Sequence, residues 1–442
     1  MVLVTVASSR ATPSPMESHS RMAQVLNSFL AVGICLLLAF GPLAFGAGEE
    51  WAIFILEAGA ALLFMIWAVR AMAFSRTEIV PSPLFIPMLL FAGLVCAQLL
   101  PGRSAYWYAT WQKALLWAAY AILFFLGTQC FRGAWLKRFA IACTIFGFLM
   151  ALFAIAQEFA GNGKIYWVMK NQAGAPFFGP YMNHSHYAGL MEMLVPFALV
   201  LAIAGFSPVP MRILYSFVAV IMGSSIFLSR SRGGIVAFAV EVGVLAVLSV
   251  RGLRTSRQVA LLGSFCLLLV FCFLLVRPNG LWDRFMQIRE PLDRAHDPSR
   301  ITMVEDSLKM VRQRPLLGWG FGTFPVVYPS FRSFYTDLVV NAAHNDFVET
   351  TVETGLFGFA LMVAFIYLLY RTGIRRAKHW RDNPRATTAL AALVGCTGLL
   401  VHGFSDFNLQ VPANAALFFA LAAVATGGTI ERAAASADSE VS

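Results

Sequence analysis

The chain has 442 residues, of which 59% are hydrophobic and only 13% charged, and its mean hydropathy is +0.70. A water-soluble domain of this composition would lack the polar surface to cover itself, so an all-α polytopic membrane protein is expected. The apolar stretches are continuous rather than alternating, which excludes a transmembrane barrel. The net charge of +10 does not call for nucleic acid, because its distribution has another explanation.

Residues 1–22 contain Arg10, Pro13, Pro15 and Arg21 but no adequate apolar core or cleavage site for a signal peptide. They are expected to be a disordered cytoplasmic tail. Apolar runs long enough to cross ~30 Å of hydrocarbon at ~1.5 Å per residue then recur about twelve times. They lie near 26–46, 51–73, 83–100, 111–130, 139–160, 184–205, 211–229, 233–250, 258–276, 344–370, 386–404 and 411–429. One membrane domain over 23–432 is expected, with a second disordered cytoplasmic tail at 433–442.

With the N-terminus inside, the cytoplasmic connections carry the basic residues: Arg70 and Arg76; Arg132, Lys137 and Arg138; Arg212; Arg251, Arg254 and Arg257; and the cluster from Arg371 to Arg385. The opposite short loops are nearly free of Lys and Arg. That asymmetry puts both termini in the cytoplasm and accounts for much of the positive charge. The long polar interval 277–343, between spans 9 and 10, then faces the periplasm. So do Tyr181–Tyr187, Ser229–Arg232 and His402–Gln410, and all four clusters meet at one surface.

The seven cysteines, at 35, 96, 130, 143, 266, 272 and 396, sit in or beside apolar runs and fit no zinc spacing. They read as small buried hydrophobes. Within the long loop, Ser299 after Pro298 is a helix start. Ile301, Val304, Leu308 and Val311 recur at helical spacing, while Arg300, Asp306, Lys309 and Arg312 are expected to face away. Such a helix would lie on the membrane plane until Pro315 ends it. Gly318, Gly320 and Gly322 then form a tight turn; no strand precedes it, so it is not a dinucleotide motif.

Ionisable groups at membrane depth are costly and are functional candidates by default. His344 enters the tenth span from the outer side, where an imidazole can accept a proton near neutral pH. Asn345, Glu349 and Glu353 follow at helical spacing as one polar stripe; the bland alternative is a capped and hydrated helix end. Arg230 and Arg232 stand on the side where the positive-inside rule disfavours arginine, and a guanidinium fork there suits a phosphate or pyrophosphate. Arg300 is a second candidate anion clamp, or a solvated residue. His184 and His186 form a weak metal signal, so Asn183 and His184 are read as lining a polar pocket. The acidic groups of Asp293–Asp297 can hold a divalent ion, although loop solvation explains them as well. Asp406 marks the fourth cluster, and Glu57, Glu192 and Glu241 lie inside spans without an assigned role.

Together these motifs carry a resemblance. Asn183-His184 followed by Ala188-Gly189, the Ser-Arg-Gly-Gly of 231–234, Arg300 through Phe324, His344 through Gly358, and Ser405 through Pro412 occur in order around one outer loop. This arrangement, over roughly residues 140–415, resembles the bacterial O-antigen ligase and polymerase superfamily. The resemblance implies a glycosyltransferase of the inner membrane whose site faces the periplasm. It would use an undecaprenyl-diphosphate-linked glycan as donor, with lipid A-core or a growing polysaccharide as acceptor. It also implies a direct, inverting, metal-independent mechanism without a cofactor. By the same resemblance Arg232, Arg300 and His344 are catalytic; Arg230, Asn183, His184, Asn345, Glu349 and Asp406 are expected to bind substrate. Ligation to lipid A-core is the first reading. Repeat-unit polymerisation, protein glycosylation and transport of the same lipid-linked glycan are alternatives. Transport is disfavoured because the polar clusters gather at one edge rather than at the midplane.

Overall fold

In a bilayer every backbone amide must find its partner within its own segment, so the apolar runs become helices. The computed structural model describes residues 15–74, 79–171, 176–250, 300–335 and 340–427, together with Gly263. The helices, in order, are α1 (Pro15–Leu43), α2 (Glu50–Ala73), α3 (Phe85–Gln98), α4 (Trp107–Cys130), α5 (Ala134–Phe159) and α6 (His184–Ile203). There follow α7 (Val209–Leu228), α8 (Arg232–Val250), α9 (Arg300–Gln313), α10 (Asp346–Arg376), α11 (Pro384–His402) and α12 (Pro412–Thr426). A hairpin of two two-residue strands, β1 (Lys164–Ile165) and β2 (Met169–Lys170), lies between α5 and α6.

Among the described residues, eight helices are long and apolar enough to cross a membrane: α1 from Met22, α2, α4, α5, α6, α7, α10 and α11. Helices α3 and α12 are apolar but shorter, with 14 and 15 residues. The run expected at 258–276 apart from Gly263, both expected tails except for the start of α1, and Asp293 and Asp297 lie outside the described residues. Among the described cysteines, Cys130, Cys143 and Cys396 are buried as expected, whereas Cys96 is exposed on α3.

Helix α6 is the centre of the bundle. It packs against α5, α7, α8 and α11, and its residues from Tyr187 to Ile203 are all buried. The helices alternate in direction, so their connections gather at two ends. At one end Val80 bonds Gln129, Ser82 bonds Thr426 and Gly205 donates to the Arg381 carbonyl. The basic connections of 132–138 and 371–385 lie there. At the other, polar end Tyr166 reaches Leu43, Ala105 bonds Trp319, and Tyr181 donates to Asn414.

Two features at the polar end depart from a simple reading of the sequence. The first is α9, whose buried face is Met303, Asp306, Ser307 and Met310. Ile301 and Leu308 are exposed instead. Asp306, expected to face away, is buried because it is a structural acceptor: it takes Lys309 Nζ at 2.7 Å and the Ser333 amide and hydroxyl at 2.9 and 3.0 Å. Burial alone would push its carboxyl up, but Lys309 and Ser333 hold it below the usual carboxylate range.

The second is a break inside α10. Gly355 has φ 69° and ψ −172°, outside the helical region. The break frees the carbonyls of Val352 and Glu353, which accept the amides of Trp319 and Gly320 at 3.0 Å each. Gly318, Gly320 and Gly322 all adopt positive φ, so the expected glycine turn is present. It is the plug that satisfies the broken helix.

Candidate functional site

The site grows out of the turn between α11 and α12. Asp346, in the first turn of α10, donates its amide to the Gly403 carbonyl at 2.9 Å and accepts the Leu409 amide at 3.0 Å. Asn345 caps the same helix by accepting the amides of Phe347 and Val348, and its side-chain amide donates to the Phe404 carbonyl at 3.0 Å. Asn408 packs directly against Gly189, where any Cβ would collide with it. Helices α6 and α10 therefore lock the 403–409 turn from two sides.

That locked turn presents Asp406 to His344. His344 Nδ1 lies 3.3 Å from Asp406 Oδ1, and the imidazole is 27% exposed whereas the Asp406 side chain is 2% exposed. Arg300 Nη2 lies 3.7 Å from Asp406 Oδ2, and Arg300 Nη1 donates to the Ser405 carbonyl. The Phe407 amide donates to Asp406 Oδ1 at 3.0 Å. Burial raises the Asp406 carboxyl, but the His344 hydrogen bond, then His186, Arg300 and His402, outweigh it and hold the group well below the usual carboxylate range. An ionised carboxylate beside Nδ1 favours the tautomer with its proton there, which leaves Nε2 with a free lone pair. The Phe407 ring packs edge-on against the imidazole with centroids 4.9 Å apart.

His344 has φ 49° and Arg230 φ 60°, both in the left-handed region that costs a side chain free energy. Such positions persist where surrounding structure holds them, and cluster at functional sites. The Glu349 carboxylate accepts the Ala343 amide at 2.8 Å, fixing the backbone just before His344.

The two arginines of Ser-Arg-Ser-Arg part company. Arg230 Nη2 pairs with Glu158 at 3.2 Å, with side chains 54% and 33% exposed. Arg232 opens α8 with an exposed side chain that makes no hydrogen bond or ion pair among the described residues. Gly233 beside it abuts Ser405 and His402, so Arg232 stands next to the turn on which Arg300 rests. The geometry thus gathers Arg232, Arg300, Asp406 and His344 around one turn. Asn183 and His184 sit nearby at the start of α6. Asn183 caps that helix by accepting the Ser185 amide at 2.8 Å, and the His184 amide donates to the Pro176 carbonyl at 2.9 Å.

Sequence reasoning missed three parts of this site. Asp346 is 0% exposed and clamps the turn; only its place in the His344–Asp346 run hinted at it. His402 pairs with Glu192 at 2.9 Å with both side chains buried, which gives that in-span glutamate a partner. Lys113, on α4, lies beside the glycine turn, its Cβ close to Gly322. Among the described residues, no three His, Cys, Asp or Glu side chains come together to hold a metal ion.

No curated protein matches the chain. Residues 217–363, about a third of its length, match the family model described as O-antigen ligase. The matched interval runs from α7 into α10 and includes Arg230, Arg232, Arg300, His344 and Glu349. Over that interval the chain is similar to the O-antigen ligase family.

Proposed function

We propose that the protein is an inner-membrane glycosyltransferase that moves a glycan from undecaprenyl diphosphate to an acceptor hydroxyl at the periplasmic face, with lipid A-core as the acceptor in the O-antigen ligase manner. The observation that carries this reading is the His344–Asp406–Arg300 array, at 3.3 and 3.7 Å, beside Arg232, which is exposed and without a partner among the described residues. In this reading Nε2 of His344 takes the proton of the acceptor hydroxyl as its oxygen bonds the anomeric carbon. The bond from that carbon to the diphosphate oxygen breaks, with inversion. Arg232 and Arg300 receive the charge that builds on the leaving diphosphate, a role that needs no metal ion. Asp406 touches neither substrate; it is a positioning residue that sets the imidazole tautomer.

The orientation rests on charge: the connections at the opposite end of the bundle hold Arg132, Lys137 and Arg138 and the Arg371–Arg385 cluster, as the positive-inside rule requires of a cytoplasmic face. The test is transfer by purified protein in detergent, supplied with a lipid-diphosphate glycan and candidate acceptors. Formation of a glycan–acceptor product with release of lipid diphosphate is expected. An intact donor after prolonged incubation with every acceptor would remove the proposal.

A further inference from the structure

A cleft of about 690 Å³ opens between the polar ends of α2 and α4, the start of α10 and the glycine turn. That volume is in the range of sites for small ligands, about 300–1,000 Å³. Neither Arg232 nor Arg300 lines it. Its ionisable groups among the described residues are instead the carboxyl groups of Glu50, Glu57, Glu349 and Glu353 and the one cation Lys113. Glu57 thereby gains a setting that the sequence did not provide.

Three further observations point to a ligand. Glu353 is 1% exposed; one of its carboxylate oxygens accepts the Phe324 amide at 3.1 Å and the Gly322 amide also approaches the carboxylate, while Oε2 has no partner in good hydrogen-bond geometry among the described residues. A buried carboxylate oxygen left without a donor is costly, and a hydroxyl or ammonium donor in the cleft would satisfy it. Tyr108 and Trp111 also line the cleft, on one face of α4, and remain 52% and 41% exposed. Gln112 donates to the Tyr108 hydroxyl at 3.1 Å. Aromatic faces of this kind give a sugar ring an apolar platform, and the carboxylates give its hydroxyls acceptors. Finally, Phe407 both lines the cleft and packs on the His344 ring, so the cleft adjoins the proposed base.

We propose that this cleft is the acceptor subsite, and that it takes an uncharged or amine-bearing sugar while rejecting phosphorylated or carboxylated ones. The inference rests on the glycosyl-transfer reading. It divides the site by chemistry: the diphosphate goes to the arginines, and the attacking sugar lies among carboxyl groups that offer partners to a hydroxyl or amine, with Lys113 the one cation among the described lining residues to receive an anion. The aromatic residues also have a simpler role as an interfacial belt. That role does not account for the unsatisfied Glu353 oxygen or for four carboxylates converging on one cleft.

The experiment uses the full chain in detergent. The probes are a neutral oligosaccharide and its phosphorylated counterpart, titrated calorimetrically without donor. The neutral sugar should bind, and the phosphorylated one at least tenfold more weakly. Trp111→Ala should weaken the neutral sugar about tenfold, the effect of losing one packed aromatic face. Glu57→Gln should narrow the discrimination between the two. In transfer assays Trp111→Ala should raise the acceptor KM while kcat and the donor KM stay unchanged. Equal or tighter binding of the phosphorylated sugar, wild-type binding by both variants, or no binding of the neutral sugar would overturn the assignment. Should Glu57→Gln fail to fold, the wild-type discrimination and the surface variant Trp111→Ala decide the matter alone. Binding as expected without any transfer would sink the glycosyl-transfer reading and leave the cleft a glycan site. Transfer with no dependence on the cleft would do the reverse.

Discussion

Replacing Asp406 with asparagine tests the arrangement at its least replaceable point. The side chain is 2% exposed, and its carboxylate faces His344 Nδ1 at 3.3 Å and Arg300 Nη2 at 3.7 Å. Asparagine keeps the shape and one acceptor but removes the charge. Hydrogen bonds to charged groups contribute about 1.5–3 kcal/mol, which corresponds to about 10- to 150-fold in rate if expressed only in the transition state. The 3.3 Å separation and the 27% exposed imidazole put the expected loss in the lower half, about 10- to 40-fold in kcat. Because Asp406 acts through His344, the double variant Asp406→Asn, His344→Ala should be no slower than His344→Ala alone. Steady-state transfer by the four proteins measures this. Additive losses, or wild-type kcat in Asp406→Asn, would refute the pairing as a functional element. The pH dependence has a defined sign. The folded carboxyl is depressed, so its stabilising contribution is complete above the ordinary aspartate value of about 3.9 and is lost only below it, as pH falls through the folded value. The difference in thermal midpoint between wild type and Asp406→Asn should therefore shrink in strong acid, below the ordinary aspartate value.

Other outcomes are equally concrete. Arg232→Ala and Arg300→Ala should each abolish transfer, and lysine at either position should restore little, because a point charge does not reproduce the guanidinium fork; lipid-diphosphate release measures both. Transfer should persist in excess chelator, whereas its loss with rescue by Mg²⁺ would shift weight to Asp293, Asp297 and the carboxylates. Gly355→Ala should lower the thermal midpoint in detergent. The residue sits at φ 69° with its missing Cβ directed into Leu316, and the backbone strain alone costs about 1–3 kcal/mol. Reporter fusions at Thr323 should read periplasmic and those near Lys378 cytoplasmic; the reverse would put the arginines and His344 in the wrong compartment.

Much of the scaffold was legible because lipid leaves few choices. Continuous apolar runs become helices, and the basic residues mark one end of the bundle. The glycine turn was legible too, since alternating glycines permit positive φ at three positions. What it closes against was not, because the break at Gly355 looks from sequence like any helical glycine. Helix α9 misled for a related reason. Its apolar spacing named Ile301 and Leu308, but the protein buries the opposite face around Asp306, whose partner Ser333 is 27 residues away. The candidate site residues were singled out one at a time by charge and position. Their mutual roles were not, because the pairing of His344 with Asp406 spans 62 residues. Asn345 read as a binding group; that its side chain also caps α10 and holds Phe404 was not legible.

The central claim is that His344 is the base of a glycosyl transfer. Transfer by His344→Asn at saturating donor and acceptor tests it most directly, since asparagine can still accept a hydrogen bond at a helix start but cannot carry the proton. We expect at least a 100-fold loss of kcat with donor binding and protein abundance near wild type, because only the transition state uses the proton transfer. Transfer at the wild-type rate by His344→Asn would contradict the claim and leave the arginines alone as the site.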